Sequence, residues 1–251
     1  MSAAVLQATG LGKRYRRKWA LSDCTLTIPA GRVVGLVGPN GAGKTTLLEL
    51  SVGLLAPSAG TIEVLGARPG DGPAQIARVG FVAQDTPTYR SLSVADHLRF
   101  GAWLNPAWDD DLAQERIDRL GVDRRQKVGN LSGGQRAQIA LTVAIATRPE
   151  LLILDEPVAS LDPLARREFL DGLAAIVDQQ QMSVILSSHL VADLDRVCDH
   201  LVVLVSSRVQ LAGEIDELLR THRETAGSDA TLEDLVLAYM ASATTGSGVA
   251  S

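Results

Sequence analysis

The sequence predicts an α/β fold with a block of helices inserted into its core, and three observations lead to this prediction. A strand-like segment ends at Gly38, a glycine-rich loop follows, and a helical segment covers residues 43–51, which is how an α/β unit begins. Residues 85–149 contain three helical patterns with no strand pattern between them. Strand and helix patterns alternate again over residues 150–213.

The individual elements are predicted from the period of the apolar residues. The predicted strands are, in order, AVLQATGLGKRY, the long stretch ALSDCTLTIPAGRVVGLVG, GTIEVLG, RVGFVAQ, ELLILDEP, MSVILSSH and HLVVLVSSRVQLAG. The later predicted helices are SVADHLRFGAWL, DDLAQERIDRLGV, SGGQRAQIALTVAIATR, DPLARREFLDGLAAIVDQQ, LVADLDRVC, EIDELLRTH and TLEDLVLAYMAS. We therefore expect one domain over 1–220, with the helical subdomain inserted at about 85–149, and a short helical tail over 221–251 whose end is frayed.

Composition is that of an ordinary globular protein and argues against some partners. The 251 residues are 46% hydrophobic and 21% charged, which is enough for a buried core. A net charge of −5 and an aromatic content of 4% argue against nucleic acid as the main partner. The N-terminus lacks the apolar stretch of a signal peptide, and no apolar run reaches the roughly 20 residues of a spanning helix. We expect a cytoplasmic protein that reaches a membrane only through a partner.

Some conspicuous side chains are expected to be structural. Two cysteines lie far apart without a pairing or metal-binding spacing, and we expect small buried residues in a reducing compartment, Cys24 and Cys198. Three histidines have no motif around them and are expected to pack or to lie at the surface: His97, His200 and His222. Two tryptophans are expected to pack, Trp103 and Trp108.

The segment from Gly38 to Thr45 matches the phosphate-binding pattern G-x-x-x-x-G-K-[ST], with a strand before it and a helix after it. Glycines let backbone N–H groups curve around phosphate oxygens where a side chain would block them. In this pattern the lysine reaches the β- and γ-phosphates, and the Thr45 hydroxyl coordinates Mg²⁺. The sequence thus predicts a nucleotide phosphate group and Mg²⁺ as ligands. The predicted phosphate-loop residues, which the family resemblance given below assigns to ATP binding, are Gly38, Pro39, Asn40, Gly41, Ala42, Gly43, Lys44, Thr45 and Thr46.

Two carboxylates follow a strand that is predicted to be buried. The four apolar residues 151–154 predict a strand covered on both faces, so Asp155 emerges at its C-terminal end, where ligands bind in open α/β sheets. Asp155 is expected to hold Mg²⁺, and Glu156 to orient the attacking water as a base. The alternative is that Asp155, Glu156 and Pro157 only end a strand and cap a helix. The phosphate loop upstream favours the first interpretation.

A second anion-binding element opens the helical pattern near the middle of the chain. Its residues are Leu131, Ser132, Gly133, Gly134 and Gln135. A helix start of this kind presents free N–H groups and the positive end of the helix dipole. One domain therefore carries two elements suited to phosphate.

The phosphate loop, the paired carboxylates and L-S-G-G-Q, in this order, resemble the ATP-binding cassette (ABC) superfamily, specifically the nucleotide-binding subunits of ABC transporters. The resemblance covers residues 5–220. It implies a P-loop NTPase (RecA-like) core with an N-terminal antiparallel β subdomain and an inserted α-helical subdomain. It also implies a head-to-tail dimer in which the L-S-G-G-Q signature of one cassette closes over ATP on the other. ATP binding then closes the dimer and hydrolysis reopens it.

The resemblance implies roles for further residues. Gln84, at the end of RVGFVAQ, matches the glutamine that touches Mg²⁺ and the attacking water. His189, which follows a predicted strand, matches the switch histidine that binds the γ-phosphate and holds the glutamate and the water in place. The D-loop, which crosses the dimer interface, matches Ser160, Leu161 and Asp162.

Tyr15 matches the aromatic residue that stacks on adenine in the family. Stacking of this kind contributes roughly 1–3 kcal/mol. The family often has glycine after the aromatic residue, whereas Arg16 stands there in this chain. This departure leaves Trp19 as the alternative.

The resemblance implies two kinds of partner: a second ABC cassette, as homodimer or heterodimer, and integral-membrane permease subunits that dock near Gln84. The chain would then lie peripherally on the inner face of the cell membrane. Three features favour an exporter of the ABC-2 type: no Q-Q-R follows the signature, NPAWDDDLAQERIDRLGV resembles drug-export cassettes, and TLEDLVLAYMA resembles their short C-terminal helix. The alternative is a soluble ABC ATPase without a permease, such as an iron–sulfur assembly factor.

Overall fold

The computed structural model describes residues 4–85 and 88–246. The end expected to be frayed, ATTGSGVAS, covers residues 243–251; its first four residues are instead the end of the last helix, Leu232–Gly246, and residues 247–251 lie outside the described residues. A 3₁₀ turn covers Val128–Asn130. The strands and α-helices are, in order, β1 (Ala4–Tyr15), β2 (Lys18–Pro29), β3 (Val33–Val37), α1 (Lys44–Ser51), β4 (Ala59–Val64), α2 (Pro73–Ile76), β5 (Val79–Val82), α3 (Val94–Leu104), α4 (Asp110–Leu120), α5 (Gly133–Ala146), β6 (Leu151–Asp155), α6 (Pro163–Gln180), β7 (Ser183–Ser188), α7 (Val191–Asp195), β8 (His200–Val205), β9 (Arg208–Glu214), α8 (Ile215–Ala226) and α9 (Leu232–Gly246).

The larger sheet forms the centre of the molecule and has the strand order β5-β6-β7-β3-β8-β9. Its strands run parallel except for β9, which pairs with β8 in the antiparallel direction. Every residue of β3, β6 and β7 is buried, which is why these strands are nearly continuous apolar runs. The register places Asp155 opposite Ser187 and Val37 opposite Ser188. The carboxyl ends of these three strands therefore meet at one edge of the sheet.

A smaller antiparallel sheet with the order β2-β1-β4 is built from N-terminal residues. Its apolar side chains pack with β3, α1 and β8 in one buried cluster. The predicted α/β fold with an N-terminal antiparallel sheet is thereby confirmed.

The stretch that was expected as one long strand ending at Gly38 is in fact two strands in different sheets. The chain turns between β2 and β3 at Gly31, whose φ is 74°. The Gly31 N–H donates to Ser183 Oγ at 2.9 Å, at the start of β7. Both strands bury apolar residues, so their periodicity does not show where the chain passes from one sheet to the other.

The segment expected as a strand over residues 200–213 is a hairpin, β8 and β9. Ser206 and Ser207 connect the two strands with φ values of 50° and 66°, and left-handed conformations at both central residues are typical of a type I′ turn. Such turns favour asparagine, aspartate and glycine, so two serines gave no turn signal in the sequence.

The helices α3, α4 and α5 occupy the connection between β5 and β6, where the helical subdomain is expected. They share a buried cluster of their own, which includes Val94, Ile117 and Ile139. Trp108 packs against this cluster, as expected. Trp103 does not: 80% of its surface is exposed.

The C-terminal helices pack against the central sheet. The boundary proposed at residue 220 falls inside α8, and Leu235 and Val236 of α9 lie in the same buried cluster as Leu201 and Val203 of β8. Over residues 4–85 and 88–246, no helix is long and apolar enough to cross a membrane.

Candidate active site

The phosphate loop, residues 38–43, connects β3 to α1 and lies tightly against neighbouring backbone. A Cβ on Gly38 would lie 2.0 Å from the carbonyl oxygen of Leu204, and one on Gly43 would lie 2.4 Å from that of Ala20. Gly43 is the N-cap of α1 with a φ of 109°, and no side chain caps this helix. The first N–H groups of α1 therefore remain available to an anionic ligand.

Lys44 extends from the first turn of α1 into the protein and is only 5% exposed. Its Nζ donates to the carbonyl oxygen of Gly38 at 2.8 Å and forms an ion pair with Glu156 Oε1 at 3.2 Å. A buried ammonium group needs such partners because it has lost its water. The ion pair brings the phosphate loop and the end of β6 into direct contact.

Glu156 is held from three sides. Lys44 contacts one carboxylate oxygen, and His189 Nδ1 lies 3.0 Å from the other. The Glu156 N–H donates to Ser187 Oγ at 2.8 Å, and the φ of Glu156 is 44°, a left-handed conformation that is uncommon for a non-glycine residue. The structure thus brings together Lys44, Glu156 and His189, three residues that the sequence predicts for one site.

Asp155 is 1% exposed, and its Oδ1 accepts a hydrogen bond from Ser187 Oγ at 2.6 Å. The Ser187 hydroxyl therefore joins the two acidic residues: it donates to the carboxylate of Asp155 and accepts from the backbone N–H of Glu156. The sequence analysis did not identify Ser187. Only the register of β6 against β7 shows that this serine faces the carboxylates.

The oxygen groups expected to hold Mg²⁺ suit that ion. Thr45 offers an exposed hydroxyl, Gln84 an exposed amide after β5, and Asp155 a carboxylate. In residues 4–85 and 88–246, no three His, Cys, Asp or Glu side chains form a metal-binding group. Mg²⁺ is usually held by one or two protein oxygens together with phosphates and water, so these donors fit it.

The signature begins α5, and two of its residues form a capping box. Ser132 Oγ accepts from the N–H of Gln135 at 3.1 Å, and Gln135 Oε1 accepts from the N–H of Ser132 at 3.0 Å. Ser132 is exposed. Because the box uses Ser132 only as an acceptor from Gln135, its hydroxyl hydrogen stays available, as do the N–H groups of Gly133 and Gly134.

The D-loop lies beside the signature of the same chain. A Cβ on Gly133 would lie 3.6 Å from Leu161 Cδ2. Leu161 is buried, Ser160 is exposed, and Asp162 caps α6 by accepting from two backbone N–H groups at 3.0 Å each. No hydrogen bond among the described residues joins this region to residues 38–46.

Tyr15 and Trp19 lie on opposite faces of the hairpin formed by β1 and β2. Arg14 is paired with Trp19, and Tyr15 with Lys18, and consecutive residues of a strand point to opposite faces. Only one ring can therefore face a nucleotide. Trp19 packs on its own strand pair, since a Cβ on Gly12 would lie 2.8 Å from its ring.

Arg16 takes the conformation that explains why glycine is common after the aromatic residue. It is the first residue of the two-residue turn between β1 and β2, and its φ is 53°. Glycine adopts such values without strain, whereas arginine does so at a small cost.

Comparisons with known proteins agree with this geometry. The family model of the ABC transporter matches residues 21–159. The ABC transporter ATP-binding protein YxlF of Bacillus subtilis, described as uncharacterized, is 33% identical over 220 residues, which are 85% of this chain and 72% of that protein.

Two further relatives transport in opposite directions according to their names. The thiamine import ATP-binding protein ThiQ of Shigella flexneri is 34% identical over 202 residues, 78% of this chain and 86% of that protein. The Nod factor export ATP-binding protein I of Rhizobium leguminosarum is 33% identical over 214 residues, 83% of this chain and 68% of that protein.

Solved structures confirm the predicted P-loop NTPase fold. An ATP-binding subunit of an ABC transporter superimposes with a TM-score of 0.80 at 27% identity, covering 94% of this chain and 99% of that chain. CbiO1 of Clostridium perfringens, part of the ABC transporter complex cbiONQ, has a TM-score of 0.72 at 26% identity, covering 89% of this chain and 96% of that chain.

Proposed function

Because the chain belongs to the ABC transporter family and is an ATP-binding subunit with ATPase activity, we propose that it drives an exporter through an ATP-closed, head-to-tail dimer. One observation carries the assignment of the catalytic residues: Glu156 lies between Lys44 of the phosphate loop and His189, at 3.2 Å and 3.0 Å. A carboxylate placed between a phosphate-binding lysine and a histidine is suited to orient a water against the γ-phosphate.

In this proposal the chain acts by positioning the reactants, which is the main requirement of phosphoryl transfer. The N–H groups at the start of α1 and Lys44 bind the phosphates. Glu156 accepts a proton from the attacking water, and His189 holds the glutamate carboxylate in place. Thr45, Asp155 and Gln84 would hold Mg²⁺, which when bound neutralises the charge of the phosphate oxygens.

The proposed dimer is supported by the position of the signature. Ser132 is exposed at the start of α5 and is hydrogen-bonded to Gln135, and the neighbouring Gly133 lies beside the D-loop rather than beside the phosphate loop of the same chain. In the central sheet, β6 and β7 lie between β3, which leads into the phosphate loop, and β5, which leads into the helices that carry the signature. A second chain turned head to tail would bring the free hydroxyl and N–H groups of the signature to this chain's ATP.

Docking of a membrane permease is supported by an apolar patch on α3 and on the segment before it. Tyr89 and Phe100 are in edge contact, with ring centroids 6.2 Å apart. Tyr89, Phe100, Trp103 and Leu104 are 61%, 44%, 80% and 63% exposed. Large exposed apolar side chains grouped in this way usually mark a protein interface. The patch follows Gln84 in the chain, and the structural relative CbiO1 is part of a transporter complex.

Export is the direction of transport in this proposal. Export is supported by the three sequence features described above and by the similarity to the Nod factor export protein. The similarity to the thiamine import protein ThiQ is of the same size. Direction therefore has to be measured on the assembled transporter.

The first test is Glu156→Gln, which keeps the side-chain shape and removes the base. We expect ATP binding to persist and turnover to fall by roughly 10²- to 10⁴-fold, the range for a general base. Light scattering after gel filtration with Mg-ATP should show a dimer of the variant. Lys44→Ala should instead weaken ATP binding, and Glu63→Gln, an exposed glutamate of β4, should behave like the wild type. Wild-type turnover in Glu156→Gln would contradict the assignment.

The second test addresses partners and direction. Tagged Glu156→Gln is trapped with ATP in its own cells and purified from detergent-solubilised membranes. Stoichiometric recovery of a polytopic membrane protein supports the permease. Recovery together with an extracytoplasmic substrate-binding protein would indicate import and contradict the proposed export, and recovery of a soluble partner alone would contradict the permease.

A further inference from the structure

Arg166, in the first turns of α6, is incompletely paired although only 26% of its side chain is exposed. Its Nη2 lies 3.5 Å from the carbonyl oxygen of Leu161 in the D-loop. Its Nε is buried and has no hydrogen-bond partner among the described residues. A buried donor on a charged group is costly to leave without an acceptor. The lack of an acceptor for Arg166 Nε therefore calls for an explanation.

The nearest carboxylate is that of Asp193 on α7, which is 8% exposed. Asp193 Oδ1 lies 4.0 Å from Arg166 Nε, too far for a hydrogen bond. Asp193 Oδ2 accepts from Ser188 Oγ at 3.3 Å. The buried Nε of a partly exposed arginine therefore faces a buried carboxylate across a gap. A displacement of about 1 Å would close this gap, since hydrogen bonds to charged groups are about 2.7–2.9 Å long.

Ser188 connects Asp193 to the segment that carries His189. Its hydroxyl donates to Asp193 and accepts from the N–H of Leu190 at 3.0 Å. The residues before and after His189 are thus held by one hydroxyl. His189 in turn contacts Glu156 at 3.0 Å.

Apart from the 4.0 Å gap between Arg166 and Asp193, these contacts connect the D-loop to the catalytic glutamate. We propose that Arg166 and Asp193 are positioning residues that transmit the position of the D-loop to His189. When a second cassette contacts the D-loop, the first turn of α6, which follows the D-loop directly, would shift towards α7. Arg166 then bonds Asp193 and fixes His189 against Glu156. The inference rests on the proposed function, since it assumes that the partner cassette contacts the D-loop.

The test compares Arg166→Met and Asp193→Asn with Arg167→Met. Arg167 is the adjacent arginine, exposed, with an ion pair to Asp171 only at 3.9 Å, so its variant is a matched control. We expect the first two variants to lower turnover about 2- to 30-fold, the range of coupling changes along a packed network. ATP affinity, measured by equilibrium binding, should stay within about twofold of the wild type, because neither residue reaches the phosphate loop.

A purely structural role is separated by a double-mutant cycle with His189→Ala. If the path ends at His189, Arg166→Met should cause no additional loss in that background. If the double variant instead loses turnover by the product of the two single losses, the inference is overturned. Arg166→Lys, which keeps a cation facing Asp193, should hydrolyse ATP faster than Arg166→Met. Equal rates in these two variants would also overturn it.

Melting temperatures are measured for all variants, and Asp193→Asn provides the test if Arg166→Met does not fold. Glu156→Gln is the reference for the proposed function. Wild-type turnover in Asp193→Asn and Arg166→Met, with turnover lost in Glu156→Gln, would reject the positioning role and leave the catalytic site intact. Wild-type turnover in Glu156→Gln would reject the proposed function, and this inference with it.

Discussion

Glu156 combines an unfavourable backbone conformation with strong side-chain contacts. Its φ of 44° costs of the order of 1–3 kcal/mol for a residue other than glycine. The ion pair to Lys44 and the contact with His189 offset this cost, and they do so only while the carboxylate points at the phosphate loop. The backbone conformation follows directly after Asp155, so the turn at the end of β6 sends two adjacent carboxylates to different partners.

Gly38→Ala should damage the phosphate loop through a backbone clash. The added Cβ would lie 2.0 Å from the Leu204 carbonyl oxygen, and β8 cannot move without disturbing the central sheet. We expect the free energy of unfolding to fall by about 1–3 kcal/mol or more, measured by urea denaturation. Gly172→Ala is the matched control: the position lies inside α6 with its nearest neighbour at 3.7 Å, and alanine there should be neutral or stabilising by up to about 1 kcal/mol. Equal losses at both positions would contradict this account.

Cys24 should be unreactive in the folded protein. Burial raises the pKa of its thiol to about 11, and the nearby charge of Asp23 adds to the shift. The thiolate, which is the reactive form, is therefore scarce at pH 8. Alkylation with iodoacetamide, located by mass spectrometry, should leave Cys24 unmodified in the native protein and modify it in urea. Rapid native labelling of this residue would show that the strand pair opens.

At the scale of the elements, hydrogen-bonding caps decide where the inserted helices begin. Both α3 and α5 start with a capping box, formed by Ser93 and Asp96 and by Ser132 and Gln135. In α5 the cap and the signature are the same residues. Ser132 and Gln135 therefore serve the helix of their own chain, apart from any contact with a second cassette. This explains how a short polar segment followed by two glycines begins a long buried helix.

Asp96→Asn should weaken α3 in a pH-dependent manner. Hydrogen bonds from the Ser93 hydroxyl and backbone N–H, together with Arg99, lower the pKa of Asp96 from 3.8 to about 2. A lowered pKa means that the carboxylate stabilises the fold above the ordinary value, and that this contribution is lost as the pH falls towards 2. The difference in melting temperature between wild type and variant should thus be largest near pH 7 and shrink below pH 4. Asp111→Asn, an exposed aspartate in the first turn of α4, should show a smaller difference at pH 7. A difference that grows with acid would contradict the assignment.

At the scale of the whole molecule, strand order brings distant residues into one site. β7 lies between β3 and β6, so Lys44, Asp155, Ser187 and His189 meet although 145 positions separate the first from the last. The inserted helices leave the sheet at β5 and return at β6. Gln84 follows β5 and so lies where the chain enters the inserted helices that carry the apolar patch. In the proposed function, a permease bound to this patch would act on the site through the connection at Gln84.

Trp103→Ala should weaken binding of the permease without changing ATP hydrolysis by the isolated subunit. The side chain is 80% exposed and packs on little of its own chain, so the melting temperature and the ATPase rate of the isolated subunit should not change. An exposed tryptophan in an interface often contributes 2 kcal/mol or more to binding, so affinity for the permease should fall at least about tenfold in a pull-down titration. Leu237→Ala, on α9 with 54% exposure, should bind normally. Unchanged affinity in Trp103→Ala would place the permease elsewhere.

Much of the site could be predicted because its signals are local. The phosphate loop is a run of glycines followed by Lys44, and Asp155 follows an apolar run, so each is recognisable within ten residues. Ser187, Arg166 and Asp193 could not be found in this way. The contacts of Ser187 depend on strand register, and the proposed roles of Arg166 and Asp193 depend on how α6 lies against α7. Nothing near these residues in the sequence distinguishes them from ordinary strand or helix residues.

The sequence by itself determined the α/β class, the place of the inserted helices between two core strands and the phosphate-loop motif, because apolar periodicity and glycine motifs act over short distances. Tertiary structure alone decided that residues 20–38 divide between two sheets, and that residues 200–213 fold into a hairpin. It also decided that Tyr15 and Trp19 face opposite ways, and that Trp103 is exposed. Each of these depends on which surfaces are covered by distant parts of the chain, and periodicity does not carry that information.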